Sequence, residues 1–540
     1  MSSSTTVTTI EPGLSSIEGQ ITLKALEPSP NDPNSTAQPA KVETSPLEGH
    51  ESAKFRLETA IILTLISLMY IIANIISGIL AVGLPKIADS INIDESILLW
   101  PASVYSLSCG CTLLLGGSLS DLFGASRMYL LGSFLCMCLI LACGLARDGV
   151  QLIVFRALQG VSASLFLPAS VSIVTRTFPS GRLRNIAFAT LGGAQPLGFL
   201  LGLVIGGILI DTIGWRVAMY VITGLNAVVF VISYFSLPLT GEYQFGDPIM
   251  HRMRSEVDWV GVAVISAAFG MLSYVLSAIC SSPSSVSMPE NISLLAISLA
   301  LVVAFVLWEH FQEKRGCPAL IPNSIWKNPT FTSTCLMGFF AWATAATNQY
   351  FLALFFEEIQ GHSALQTSLR FIPLVVGGVL TNIATGAMVR HVRADLLIGI
   401  SAILSAGTPL IMALIVANHS ELSYWTAAFP AAALSPIWAD VTLTIANLVI
   451  TRLFPRSLHG LAGGVTNTCA QLGISIGLNL TSLLANVITT KSRDKMAATA
   501  ALAEGYEGAF WASFAATAAM VLLTALGMRK VGKVGQTKED

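Results

Sequence analysis

Two ionisable side chains lie within long apolar runs, and their chemistry is opposite. Arg156 falls in Leu152-Ile-Val-Phe-Arg156-Ala-Leu-Gln159-Gly160, and Asp440 in Ser435-Pro436-Ile-Trp438-Ala-Asp440. A guanidinium in such a run is costly and faces a cavity or a partner, unless its long stem reaches the edge. Counted from Val150 at ~1.5 Å per residue, Arg156 lies ~9 Å in. The edge is within reach at that depth; a functional role is the favoured reading. A buried carboxyl can hold a proton and release it when a cation comes near. Asp440 therefore reads as a proton carrier, or else as a solvated acid capping the break at Pro436. The seven histidines offer no competitor, since all fall in tails, connections or span edges. Glu357 and Glu358 end the ninth apolar run and read as solvated.

Three further patterns could carry a mechanism. Gly117-Ser-Leu119-Ser-Asp121-Leu-Phe-Gly124-Ala-Ser-Arg127 is a glycine-permitted turn with a carboxylate and a guanidinium close together. Such a pair can latch one conformation through charge contacts with a neighbouring helix; the plain alternative is an ordinary basic connection. Gly198, Gly202 and Gly206 recur every four residues, near Gly192, Gly193, Pro196 and Gly207. That spacing makes a smooth strip against which another helix can pack closely, slide or bend. Asn74, Asn348, Gln349, Tyr350, Trp438 and Asn447 are polar or aromatic groups within the runs and are candidates to line a substrate cavity. A mostly apolar pocket with few polar groups suits hydrophobic molecules. Cys109 with Cys111, and Cys136 with Cys138, do not form metal sites, because residues two apart diverge on a helix. No metal is expected.

The elements that position these groups must cross a bilayer. The 540 residues are 53% hydrophobic and only 11% charged, with a mean hydropathy of +0.71. Soluble domains carry about a quarter charged residues. The net charge of -2 suggests no nucleic-acid partner. A crossing helix needs roughly 20 apolar residues. Such runs fall near 59–80, 100–120, 128–146, 150–175, 185–210, 217–237, 258–280, 292–309, 329–356, 368–389, 395–416, 423–450, 459–489 and 508–528, which is fourteen candidate spans. Lys and Arg gather on alternate connections, at Arg176, Arg182 and Arg184, Arg252 and Arg254, Lys314, Arg315 and Lys327, Arg390 and Arg393, and Arg452 and Arg456. This bias places those connections, and both termini, in the cytoplasm. Asn291-Ile-Ser293 and Asn418-His-Ser420 then fall in outer loops as glycosylation acceptors.

The expected organisation is an all-α membrane protein. Residues 1–53, rich in Ser, Thr, Pro and Glu, form a disordered cytoplasmic tail rather than a signal peptide. Residues 54–238 and 326–530 form two six-helix bundles, with a linker at 239–325 carrying two extra central transmembrane helices. Residues 531–540 are a second cytoplasmic tail. Duplicated bundles permit alternating access by rocking one half against the other.

The turn at Gly117, Leu119, Asp121, Gly124 and Arg127 resembles motif A of the major facilitator superfamily, departing from it at Leu122 and Ala125. Arg156, Gln159 and Gly160 resemble motif B, which that family associates with proton coupling. Gly198, Gly202, Gly206 and Gly207 resemble motif C, the antiporter signature, with Leu203 where proline is usual. Trp100-Pro-Ala-Ser-Val-Tyr105, Gly214-Trp215-Arg216, Asp258-Trp259-Val-Gly261 and Gln360-Gly361-His-Ser363 are similar to stretches of its fourteen-span drug:proton antiporters, particularly the fungal branch. The likeness covers roughly 55–530. Many members carry an Asp shortly before Leu-Pro in the first span; Ile76–Gly83, before Leu84-Pro85, has no carboxylate. The resemblance implies the major facilitator fold, with the span holding Asp440 as counterpart of the fourth.

It also implies proton-driven export of a small hydrophobic drug, toxin or secondary metabolite. The expected requirements are a lipid bilayer and a proton gradient, with no cofactor, in a monomer of the plasma membrane. An importer or vacuolar carrier of the siderophore or basic amino acid type is the alternative. The segment Leu237-Pro-Leu-Thr-Gly-Glu242 does not match a sugar porter. No nucleotide-binding P-loop and no nucleophile or metal motif points to a pump driven by ATP or to an enzyme.

Overall fold

The computed structural model describes residues 46–93, 100–178, 182–238, 257–281, 283–317, 319–389, 391–417, 424–454, 459–493 and 496–527. Among these every regular element is helical. The first group is α1 (Pro46–Ile91), α2 (Trp100–Phe123), α3 (Ala125–Leu145), α4 (Gly149–Thr177), α5 (Arg182–Thr212) and α6 (Trp215–Ser236). Then come α7 (Trp259–Ser281) and α8 (Pro289–Arg315). The last group is α9 (Pro329–Leu354), continued by a π-helical turn (Phe355–Ile359), α10 (Ala364–Arg370), α11 (Ile372–Met388), α12 (Ala394–Ala417), α13 (Ala428–Leu434), α14 (Ile437–Leu453), α15 (His459–Arg493) and α16 (Ala498–Gly527).

Local chemistry sets the joints. Gly124 alone links α2 to α3 at φ +96°, a left-handed value that favours glycine. Asp148 caps α4 by accepting from the Gln151 N–H at 2.8 Å. Pro436 has no N–H to give, and it stands at the break between α13 and α14. The break between α10 and α11 falls at Phe371, just ahead of Pro373.

Among the described residues, 12 helical segments are long and apolar enough to cross a membrane, with α10 and α11 counting as one and α13 and α14 as another. The sequence led us to expect fourteen. The difference lies in α9 and α16, which have spanning length, at 26 and 30 residues; α9 is the more polar, whereas α16 is apolar from Gly508 onward. Helix α9 carries Thr330, Thr332, Thr334, Thr344, Thr347, Asn348 and Gln349, and α16 carries Glu504 and Glu507 in its first turns.

Helices α2, α3, α4 and α6 pack on one another in the first group, with α4 against both α2 and α3. In the second group α14 packs against α11 and α12, while α9, α15 and α16 pack together. The hairpin α7–α8 leans through α7 on α2 and α15. Helix α8 shows Ile292, Leu299, Val303 and Leu307 to the surroundings, as a helix solvated by lipid does.

Asn291 departs from the expected glycosylation acceptor. It lies in the first turn of α8, is 7% exposed, and its Nδ2 donates to the Ser285 carbonyl at 2.8 Å. An amide so buried and occupied is not presented to a glycosylating enzyme. Asn418 lies outside the described residues, as do residues 1–45 and 531–540 of the expected tails; residues 46–53, expected to belong to the disordered N-terminal tail, are instead the first turns of α1.

Candidate functional site

The glycine strip has a defined partner. A Cβ on Gly198 would lie 2.5 Å from the Ile71 carbonyl oxygen, on Gly202 2.1 Å from that of Ile75, and on Gly206 2.9 Å from the Ile79 Cα. Helix α1 answers with Gly78, whose Cβ would meet the Phe199 carbonyl at 2.3 Å. The α1 and α5 backbones therefore touch along several turns, which only hydrogen side chains permit. Gly207 faces the other way, where a Cβ would meet the Ser368 Oγ of α10 at 2.3 Å. Helix α5 is thus wedged between its own group and the second one.

That wedge is sealed at the end where α5 finishes. Ser368 Oγ donates to the Leu203 carbonyl at 2.6 Å, and the Leu365 N–H donates to Asp211 Oδ2 at 3.1 Å. Asp211 also pairs with Lys86 of α1. Val82 and Leu203 join one apolar cluster with Phe351, Phe355, Phe356 and Phe371. Near the start of α5 the picture changes: a Cβ on Gly192 or Gly193 would meet nothing within 4 Å, so this stretch stands clear.

Arg156 does not snorkel. It is 1% exposed, its Nε donates to the Pro101 carbonyl at 3.1 Å, and Nη1 donates to Gln159 Oε1 at 2.7 Å. Its guanidinium lies 4.6 Å from the centre of the Tyr105 ring. Gln159 passes the chain on, with Nε2 to Cys136 Sγ at 3.8 Å. Gly160 lets α4 close on α2, since a Cβ there would lie 2.3 Å from the Tyr105 carbonyl. Ser108 Oγ ties the same helices by donating to the Ala157 carbonyl at 2.7 Å.

Asp440 sits in the first turn of α14, facing α11 at Gly378. It is 7% exposed, and its Oδ2 is buried with no hydrogen-bond partner among the described residues. It does not join Arg156: the cation is walled in by α2, α3 and α4, and the acid by α11 and α14. Asp121 is exposed at the end of α2, within the field of Arg176 from α4. Arg127 is exposed at the start of α3. Arg184 braces the α4–α5 connection by donating to the carbonyls of Thr175 and Phe178.

The cavity candidates separate. Asn74, Gln349 and Tyr350 are half-buried and Asn447 is exposed. Asn348 is buried against α16, where its Oδ1 accepts from Ser513 Oγ at 2.8 Å. Trp438 is 1% exposed within the second group's core. Those two pack the bundle rather than face open space.

Glu357 corrects an expectation. It is half-buried rather than solvated, and its Oε1 is buried without a partner among the described residues. Six consecutive buried residues, Phe351–Phe356, precede it, and the π-helical turn that carries it left no mark in the periodicity. Asp211 and Lys86 also escaped notice, because they come together from α5 and α1, far apart in sequence.

The family model described as Major Facilitator Superfamily matches residues 66–478. The chain belongs to that superfamily. A Pyricularia oryzae protein named MFS-type transporter 1 is 38% identical over 93% of this chain and 89% of its own length. The low affinity ammonium transporter of Saccharomyces cerevisiae is 26% identical over 71% of this chain and 73% of its own. The methylenomycin A resistance protein of Bacillus subtilis is 24% identical over 79% and 88%. In fold, the chain is similar to a bacterial homologue of the human lysosomal transporter Spinster, solved inward-facing and unoccupied. The TM-score is 0.59 at 14% identity, covering 88% of this chain and 98% of that one. The protein is therefore a multi-pass membrane transporter of the major facilitator superfamily and not an enzyme.

Proposed function

We propose that this transporter exports small hydrophobic molecules in exchange for protons, crossing the plasma membrane fourteen times with both termini in the cytoplasm. Helices α9 and α16 supply the two further crossings, and the basic connections set the orientation. The observation that carries the reading is the placement of α5, touching α1 through Gly198, Gly202 and Gly206 and the second group through Gly207. A helix so placed can close one end of the molecule while leaving the other open. On this orientation the Asp211 end faces outward and is shut, so the conformation is inward-facing. Export is favoured by the likeness to a methylenomycin A resistance protein.

Asp440 is the coupling acid of this reading. Its Oδ2 has no hydrogen-bond partner among the described residues, and the Asn382 amide of α11 is the polar group acting on the carboxyl, so the acid can carry its own proton there or turn to find a partner. Arg156, Gln159 and Gly160 hold α4 on α2 and fix the frame in which that change acts. Asp121, with Gly117, Gly124 and Arg127, forms the inner latch. The half-buried Asn74, Gln349 and Tyr350 line the substrate path.

The test is efflux of a fluorescent hydrophobic compound from pump-deficient cells at several external pH values, beside Asp440→Asn. Efflux that rises with an inward proton gradient and fails in the variant supports the reading. Gradient-driven efflux that survives the substitution removes Asp440 and keeps the exporter. A second reading, uptake or vacuolar carriage of a small polar solute, is favoured by the likeness to a yeast ammonium transporter. Accumulation rather than loss of labelled solute would select it.

A further inference from the structure

We propose that Glu357 is a second proton-binding residue, whose protonation locks the Asp211 end of the transporter shut. The inference rests on the antiport reading for its direction but not for its geometry.

Glu357 stands at the seam between the two helical groups. The π-helical turn Phe355–Ile359 buries both Phe355 and Phe356 and leaves Glu357 Oε1 inside with no partner among the described residues. Such turns insert a residue into a helix and recur at functional positions. Lys86 of α1, Asp211 of α5 and the adjacent Glu358 all act electrostatically on Glu357.

The other charged groups around it have contacts of their own, although Arg370 Nε is buried without a hydrogen-bond partner among the described residues. Glu358 accepts from the Tyr506 hydroxyl of α16. Arg370 of α10 donates to the Gln366 carbonyl at 3.1 Å and lies over the rings of Phe356 and Tyr424. His362, in the connection after the turn, is pushed below its ordinary range by burial and by Arg370, so it is neutral at pH 7.

The seam therefore gathers the Lys86 ammonium with the carboxyls of Asp211, Glu357 and the adjacent Glu358. Lys86 already pairs with Asp211, and the side chains of that pair are 52% and 18% exposed. Closing this end brings Glu357, from the second group, against the pair, while Arg370, the other cation here, stays over the Phe356 and Tyr424 rings. Two carboxylates approaching in a drying space repel each other, and one proton relieves the repulsion. With the end open, water screens the charges and supplies the proton; with it shut, neutral Glu357 lets Asp211 hold both Lys86 and the Leu365 N–H. On the antiport reading protons arrive from this side. Uptake at Glu357 then closes the outer end and returns the carrier to its inward-facing form. The step moves one proton from water to a carboxylate oxygen and breaks no covalent bond.

The experiment uses the full-length protein in lipid nanodiscs, without substrate, with its nine cysteines replaced. Spin labels stand at Asp89 and Gln360, exposed positions on either side of the seam. In the parent, the short-distance population should grow as pH falls from about 8 to about 5, the span over which a perturbed carboxyl titrates. Glu357→Gln should show the short distance at both extremes, while Glu357→Asp keeps the response. Lys86→Met, which leaves the carboxylates uncompensated, should move the midpoint up by about one pH unit or more. A parent without pH response, or Glu357→Gln with the parental one, overturns the proposal. If Glu357→Gln does not fold, an unshifted midpoint in Lys86→Met overturns it instead. Cellular efflux, read in parallel, separates the two ideas. Gradient-independent efflux with intact pH-driven closure discards antiport and keeps the lock; gradient-driven efflux without closure does the reverse.

Discussion

Arg156 and Asp440 occupy comparable places in the two helical groups, yet their surroundings differ in kind. Helix α4 packs on α2 and α3, and α14 packs on α11 and α12. Arg156 donates to a carbonyl and an amide oxygen and stacks on a ring. Asp440 leaves one oxygen with nothing to bind. A buried charge that is fully engaged specifies one arrangement of its neighbours. A buried acid with an idle oxygen has an alternative state close at hand, the one that a proton selects. The first bundle is thus built around a fixed polar group and the second around a changeable one.

The harshest way to break this contrast is Arg156→Ala. It leaves the Pro101 carbonyl and Gln159 Oε1 without their donor and opens a void among α2, α3 and α4. Stability should fall by about 3 kcal/mol or more, combining unpaired groups with a cavity. Thermal unfolding of the detergent-purified protein measures this directly. If the variant melts within a degree or two of the parent, Arg156 is not structural and the contrast is lost.

Next in size come two backbone contacts that repeat between the groups. A Cβ on Gly202 of α5 would lie 2.1 Å from the Ile75 carbonyl of α1, and one on Gly473 of α15 would lie 2.1 Å from the Phe339 carbonyl of α9. Gly202→Ala and Gly473→Ala should each cost about 1–3 kcal/mol, as overpacking does. Gly192→Ala, with open space around it, serves as the neutral control. Equal melting shifts for the first two would show that the closeness of α5 to α1 is a general packing device. A shift in transport confined to Gly202→Ala would mark α5 as the moving helix.

The repeat of these glycine contacts shows what the sequence could and could not tell. Spacing announced the strip at Gly198, Gly202 and Gly206, because a four-residue period is local. It gave no hint that Gly473 and Gly477 do the same work, since the two groups share little identity. Apolar runs located the helices well, α9 and α16 included. They missed the joint where α10 breaks from α11, whereas Pro436 marked the one between α13 and α14. Burial of Asn348 and Trp438 was unreadable, because polarity alone does not say which face of a helix meets another helix. The seam of Lys86, Asp211 and Glu357 was invisible for the plainest reason: three helices bring it together.

A smaller effect sharpens the reading of the cavity. Asn348→Ala removes the bond from Ser513 and should cost about 1 kcal/mol. It should leave the KM of a transported dye unchanged, since Asn348 packs α9 against α16. Gln349→Ala, half-buried on the neighbouring face, should raise that KM without a melting shift. Reversed outcomes would return Asn348 to the substrate path.

The smallest structural effect belongs to Asp440→Asn, and it decides most. Oδ2 makes no bond in the structure, so replacing it forfeits none, and melting should stay within about 1 kcal/mol of the parent. An amide at that place cannot bind and release a proton. Gradient-driven net transport should collapse, while exchange of labelled for unlabelled substrate, which needs no net proton movement, should continue. Loss of both activities in a stable protein would place Asp440 in substrate binding instead. Retention of both would leave Glu357 as the proton site to test first, and the contrast between the two helical groups would then lie in packing alone.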